Sequence, residues 1–321
     1  MGQVDTVFGP VPSRRLGRSL GINNIPAKKC TYSCVYCQLG ATVARRTERG
    51  TFYSPDELAS RISLAVDTVR DRGETIDYLT FVADGEPTLD LNLGRAIRAL
   101  KPLGIRIAVI TNGTLLWREE VRADLAEADW VSVKVDSVDG AMWYRLNEPH
   151  HALAFDTVMT GIKRFAAEFE GELATETMLV HGMNSGDRSL EEIALFIARL
   201  APKAAYLSIP TRPPANDWVH APDDVTLATA SVLFGRHIGV FKYLFDFEGS
   251  SFSVSGDAER DLLSIAAVHP LRSDSVAQLL KEDHADWALV RKLLDQGKLI
   301  AATYEGHAYY RANLDPARIS S

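Results

Sequence analysis

Only three cysteines occur in 321 residues, and all fall in one stretch, Cys30-Thr31-Tyr32-Ser33-Cys34-Val35-Tyr36-Cys37. An odd number so close together argues against a disulfide framework and for a metal site in a reducing compartment. The chain also lacks an apolar run long enough to span a bilayer, and its start, Met1-Gly2-Gln3-Val4-Asp5, has no charged-then-apolar secretion pattern. A cytoplasmic protein without membrane association is expected. An excess of positive charge is missing too. The net charge of −7 removes any broad attraction to nucleic acid or anionic lipid and leaves only local basic patches for that role. No repeat of solenoid length occurs. With 46% hydrophobic and 24% charged residues, the composition is that of a globular protein large enough for one α/β domain and a small appendage.

What is present is a rhythm. Short β-branched apolar runs alternate with stretches whose apolar residues recur at three- and four-residue spacing, the pattern of βα units around a parallel sheet. The expected strands are 19–25, 76–83, 105–111, 130–136, 172–180 and 204–210. Six strands make an incomplete barrel, a partial (β/α)6 TIM-like architecture. Ser54-Pro55-Asp56-Glu57 reads as a helix start, with Ser54 as cap, Pro55 in the first turn and Glu57 completing a capping box. Residues 118–126 and 189–199 read as amphipathic surface helices. Residues 239–253 alternate aromatic and polar positions and read as extra β structure. Beyond 254 the rhythm changes to helices over 258–268, 273–281 and 286–296, then strands 299–304 and 307–311 around a Glu305-Gly306 turn. That order resembles a winged helix-turn-helix, so the chain divides into a barrel, 1–254, and a small winged-helix-like domain, 255–321.

Thiolates at this spacing on a loop select zinc or an iron–sulfur cluster, and the fourth ligand decides. Structural zinc wants four ligands, and no other cysteine exists; His150 and His151 are the nearest histidines in sequence. Three cysteines on a four-iron cluster leave one iron open for a small molecule to chelate, which S-adenosylmethionine does through its amino and carboxylate groups.

The C-x3-C-x2-C spacing, with Tyr36 before the last cysteine and a predicted strand ahead of it, resembles the signature of the radical S-adenosylmethionine enzymes. The resemblance implies that Cys30, Cys34 and Cys37 hold a [4Fe–4S] cluster. It extends to the strand ends, where a βα barrel gathers its chemistry. Ala83-Asp84-Gly85-Glu86-Pro87-Thr88 is similar to the family's Gly-Glu-Pro segment, and Thr111-Asn112-Gly113-Thr114, Val180-His181-Gly182-Met183-Asn184 and Ile209-Pro210-Thr211-Arg212 match further segments. Alternation along 130–136 puts Ser132, Lys134 and Asp136 on one face, where buried polar groups must pair or bind something. The resemblance implies that Tyr36, Gly85, Glu86, Asn112, Lys134 and Asp136 contact S-adenosylmethionine, with Lys134 on its carboxylate and Asp136 on its ribose. The plain alternatives are a simple turn at Gly85 to Pro87 and an internal Lys134–Asp136 ion pair.

Gly9-Pro10-Val11-Pro12-Ser13-Arg14-Arg15-Leu16-Gly17 and Thr211-Arg212-Pro213-Pro214-Ala215 resemble the branch that includes wyosine-type tRNA-modifying synthases. Those carry a second cluster on further cysteines. None remains here, so their base-building reaction is not carried over. What the resemblance implies is an enzyme supplied with electrons by an external donor such as flavodoxin or ferredoxin, cleaving the cofactor to a 5′-deoxyadenosyl radical that takes hydrogen from an unidentified substrate, RNA- or protein-linked substrates included. The competing readings are a redox-sensing nucleic-acid-binding regulator that uses the winged helix, and a zinc-stapled scaffold. Arg14, Arg15, Lys28 and Lys29 could contact phosphate or an acidic substrate, with a solvated charge cluster as the default reading. In the C-terminal domain acidic residues outnumber basic ones, which disfavours nucleic acid; Arg291, Lys292 and Lys298 are the one local patch that would serve it.

Overall fold

The structure is a computed structural model that describes residues 6–42, 44–245, 256–268 and 270–313. All six expected strands form, and two more join them in one curled eight-stranded sheet. In chain order they are β1 (Val7–Ser13), β2 (Gly17–Ile22), β3 (Tyr78–Phe81), β4 (Arg106–Thr111), β5 (Trp130–Lys134), β6 (Glu172–Met178), β7 (Ala204–Ser208) and β8 (Phe241–Leu244), which is also their spatial order. Strands β2 to β8 pair in parallel, and β1 adds an antiparallel edge. The six-strand expectation is thereby corrected to eight. Two prolines hid β1, because a residue without an N–H disrupts a ladder; they are tolerated since β1 is an edge strand. Of the β structure expected over 239–253, Phe241–Leu244 forms β8, and the part from 246 onward lies outside the described residues.

Seven helices connect these strands: α1 (Pro55–Asp71), α2 (Leu93–Leu100), α3 (Glu119–Leu125), α4 (Gly140–Asn147), α5 (Phe155–Glu168), α6 (Asp187–Leu200) and α7 (Asp224–His237). Helix α1 begins where expected, yet the capping box does not form. Ser54 makes no side-chain cap bond, and Glu57 pairs with Arg61 one turn along. The apolar stripes of these helices, such as Leu58, Ile62 and Val66 of α1, share the main core with outward-facing strand residues such as Leu79, Val131 and Val133. Each fully buried side chain of this kind contributes about 1.5–3 kcal/mol.

The inner face of the sheet differs. Leu16, in the β1–β2 turn, is buried among Ala108, Trp130, Ala174, Ala204, Tyr206 and Leu244, closing the space at the strand starts. From the same turn, Arg14 donates to the Leu244 carbonyl of β8. The two edges of the curled sheet are tied together there.

After residue 255 come α8 (Ala258–Val268), β9 (Leu271–Arg272), α9 (Ser273–Glu282), α10 (Trp287–Asp295), β10 (Leu299–Tyr304) and β11 (His307–Ala312). The expected helices and hairpin are present, and β9 adds a third strand beside β11. Asp286 caps α10 by accepting from Ala288 N, and Glu305 and Gly306 take φ of 46° and 77° in the hairpin turn. This unit has its own core around Leu262, Leu279, Val290 and Leu293. It is also tied to the barrel: Tyr304 and Tyr309 donate their hydroxyls to the carbonyls of Pro210 and Thr211, at 3.1 and 2.9 Å.

Candidate active site

A cavity of about 350 Å³ opens on the inner face of the sheet, and Cys30, Cys34 and Cys37 all line it. The cysteine loop leaves β2 and is zipped at both ends. On one side Lys28 N donates to Asp84 O at 2.7 Å and Glu86 N to Lys29 O at 2.9 Å, joining the loop to the turn after β3. On the other, Ser33 N and Val35 N bond to carbonyls at the end of α4. Gly85 is required by the first contact: a Cβ there would lie 1.9 Å from the Lys29 carbonyl oxygen. Its segment is thus more than the plain turn of the sequence alternative.

Weak donors surround the sulfurs. Tyr32 N lies 3.5 Å from Cys30 Sγ, and Asn147 Nδ2 lies 3.4 Å from Cys34 Sγ. Burial pushes the Cys30 and Cys34 thiols up, Cys34 to about 12, with the neighbouring acidic groups adding to the rise. Binding iron here must therefore displace thiol protons. Among the described residues no three His, Cys, Asp or Glu side chains converge to hold one metal ion. Zinc needs four donors about 2.0–2.3 Å from a single point. A four-iron cube instead takes each thiolate on a separate iron, and three thiols spread around a cavity wall fit it.

The expected cofactor residues divide in two. Tyr36, Gly85 and Lys134 line the cavity with the cysteines. Glu86, Asn112 and Asp136 stand behind it and brace the loops. Glu86 is buried and accepts from Thr88 N at 3.1 Å, Thr111 Oγ1 at 2.6 Å and Asn112 N at 2.7 Å. Burial pushes its carboxyl up against the pull of these donors. Asn112 Nδ2 donates to Thr31 Oγ1 at 2.7 Å, inside the cysteine loop. Asp136 accepts from the Tyr36 hydroxyl, from Asn147 Nδ2 at 2.9 Å and from Met178 N at 2.8 Å.

Lys134 does not pair with Asp136. Its Nζ donates to Glu176 Oε1 at 3.1 Å and lies 4.9 Å from the centre of the Tyr36 ring. Glu176 also accepts from Arg15, which corrects the reading of Arg15 as part of a solvated cluster: it lines the cavity in an ion pair. Burial opposes ionisation of Glu176, and Arg15 and Lys134 outweigh it, bringing its carboxyl down to about 2. Burial likewise works against the Lys134 charge, and Glu176 with Asp136 holds it above the ordinary lysine range. The basic patch in the C-terminal unit is also reduced. Lys292 and Lys298 both donate to Glu259, at 2.9 and 2.6 Å.

A curled parallel sheet carrying three cysteines on the loop after its first parallel strand, with a cavity at the strand ends, defines a half-barrel protein organised around a thiolate loop. Residues 24–197 match the Radical SAM superfamily, and the chain belongs to it. It is similar to UPF0026 protein MJ1312 of Methanocaldococcus jannaschii, at 42% identity over 309 residues and 96% of each chain. A UPF0026 protein of Helicobacter pylori strain 26695 is 34% identical over 277 residues, 85% of this chain and 87% of that one. Among solved structures, that of TYW1 with a lysine-pyruvate adduct bound superposes with a TM-score of 0.52 at 14% identity, covering 70% of this chain and 76% of the other, a likeness of fold. No helix among the described residues is long and apolar enough to cross a membrane.

Proposed function

We propose that the protein is an enzyme that uses a [4Fe–4S] cluster on Cys30, Cys34 and Cys37 to cleave S-adenosylmethionine reductively. The observation that carries this reading is that the three cysteines of one loop share a cavity with Gly85 and Lys134. When bound, cluster and cofactor would supply a 5′-deoxyadenosyl radical that abstracts hydrogen from substrate. This chain's residues would do the rest. Lys134, kept cationic by Glu176, would meet the cofactor's carboxylate. Tyr36 and Asp136 would hold the cysteine loop against β5, and Gly85 would let the backbone of the β3 turn approach the cofactor's amino group. Electrons would come from an external one-electron donor such as flavodoxin or ferredoxin.

The C-terminal unit, read as winged-helix-like, would dock or position substrate. Nucleic-acid reading is disfavoured by two observations. Glu259 neutralises Lys292 and Lys298, and Tyr304 and Tyr309 of the hairpin are spent on the barrel. The test is anaerobic reconstitution with iron and sulfide, reduction with dithionite, and chromatographic assay of 5′-deoxyadenosine. Wild type should release it, and Cys34→Ala should not. A brown, iron-loaded wild type that releases no more than the variant would sink the reading.

A further inference from the structure

Two cations converge on the turn that follows the last cysteine. Gly40 N donates to Cys37 O at 3.0 Å, closing Cys37-Gln38-Leu39-Gly40 into a tight turn. Lys28 Nζ donates to the Gly40 carbonyl at 2.8 Å, and an Arg311 guanidinium nitrogen donates to the Leu39 carbonyl at 3.3 Å. Both charged groups lie within 4 Å of where a Gly40 Cβ would sit. Lys28 leaves the loop in a left-handed conformation, φ 62°, which costs a non-glycine residue of order 1–3 kcal/mol. Among the described residues neither cation has a carboxylate partner within ion-pairing distance, and the hydrogen-bond acceptors found for them there are carbonyl oxygens. Asp84 is the carboxylate whose field acts on Lys28, and burial pushes it up to about 7, so it carries only part of a negative charge near neutrality. Two like charges brought together beside Cys37 repel unless an anion is nearby.

We infer that Lys28 and Arg311 are positioning residues that stabilise negative charge on the cluster and raise its reduction potential, so that the C-terminal hairpin tunes the site on the barrel. The inference rests on the proposed function. One electron passes from the donor to the cluster, taking the [4Fe–4S] core from 2+ to 1+ with no proton required. With three thiolates the assembly goes from −1 to −2, and fixed cations nearby favour the more negative state. Cluster potentials follow net charge, hydrogen bonding and exposure. Arg311 lies far outside the superfamily match, so a segment beyond that match would set a property of the cluster within it.

The experiment is a redox titration of the full-length reconstituted protein, with dithionite as reductant and the paramagnetic signal of the reduced cluster as readout. Arg311→Gln and Lys28→Met should each shift the midpoint to more negative potential. Arg311→Lys should keep the wild-type value, and the shifts should shrink as salt is raised, because partly exposed charges are screened. Unchanged midpoints in both charge-removing variants would overturn the inference and leave the proposed function standing. So would Arg311→Lys shifting as far as Arg311→Gln, since shape rather than charge would then be responsible. If Arg311→Gln loses the fold, Lys28→Met decides. A wild type that takes up no cluster overturns both readings together.

Discussion

Lys134 and Glu176 sit directly opposite each other on neighbouring parallel strands, β5 and β6, with Nζ 3.1 Å from Oε1. Arg15 reaches the other oxygen of the same carboxylate from the β1–β2 turn. One anion thus holds two cations on the cavity wall, one from a central strand and one from the turn that closes the strand starts. Glu176 fixes where Lys134 points, and Lys134 and Arg15 keep Glu176 ionised. Fold stability and the charge of the site are joined in these three side chains.

Removing the central charge should therefore cost more than removing either partner. Glu176→Gln leaves two cations facing each other in a mostly buried place, and breaking such a pair by deleting one member costs about 3–5 kcal/mol. Arg15→Gln leaves Glu176 with Lys134 and should cost less. The double variant should recover part of the Glu176→Gln loss. Urea unfolding of the apoprotein measures all three, and strict additivity would show that the pair is not coupled.

Lys134→Met should separate cofactor binding from folding. The methionine keeps much of the side-chain volume and removes the charge. If Lys134 meets the cofactor's carboxylate, losing a charged hydrogen bond of about 1.5–3 kcal/mol weakens S-adenosylmethionine binding roughly 10- to 100-fold. Equilibrium dialysis on the cluster-loaded protein reads this directly. Unchanged affinity would remove Lys134 from the cofactor site.

The parallel sheet and the cysteine loop were legible because each leaves a local mark, β-branched runs in one case and a fixed spacing in the other. Lys134 was found by period-two alternation along β5. The same alternation along β6 puts Glu176 with Ala174 and Met178 on the inner face, so that signal existed; its pairing with Lys134 depends on the β5–β6 register, which no local pattern encodes. Arg15 was misread because a charged residue in a turn is ordinarily solvated, and only the curl of the sheet brings this turn under the cavity. The bracing roles of Glu86 and Asn112 were hidden for a similar reason. Their partners, Thr111 at the end of β4 and Thr31 in the cysteine loop, are distant in sequence and only the folded sheet gathers them.

Gly85 gives a test of the loop contact with an internal control. Gly85→Ala forces a Cβ to 1.9 Å from the Lys29 carbonyl, so the cysteine loop or the β3 turn must shift. Overpacking of this kind costs about 1–3 kcal/mol, and the displaced loop carries Cys30, the residue after Lys29, with it. Iron and sulfide content after reconstitution should fall well below wild type. Gly186→Ala, at a site with nothing within 4 Å and negative φ, should load normally. Equal loading of the two variants would show that the close approach is dispensable.

Asp84 should give the apoprotein a distinctive pH response. Its Oδ2 accepts from Asn23 Nδ2 at 2.9 Å while Oδ1 is buried without a hydrogen-bond partner among the described residues, and burial pushes the carboxyl up from 3.8 to about 7, against the pull of Asn23 and Lys28. Between those values the folded state holds a proton that the unfolded state has released. Stability from this group is therefore present below about pH 4 and is lost as the pH rises to about 7, at up to about 1.4 kcal/mol per pH unit. Asp84→Asn removes the titration. The variant's unfolding free energy should fall less steeply than wild type between pH 5 and 7, so that the two curves diverge with rising pH in the variant's favour. Urea midpoints measured across that range decide the matter, and parallel curves would mean that Asp84 ionises normally in the folded protein.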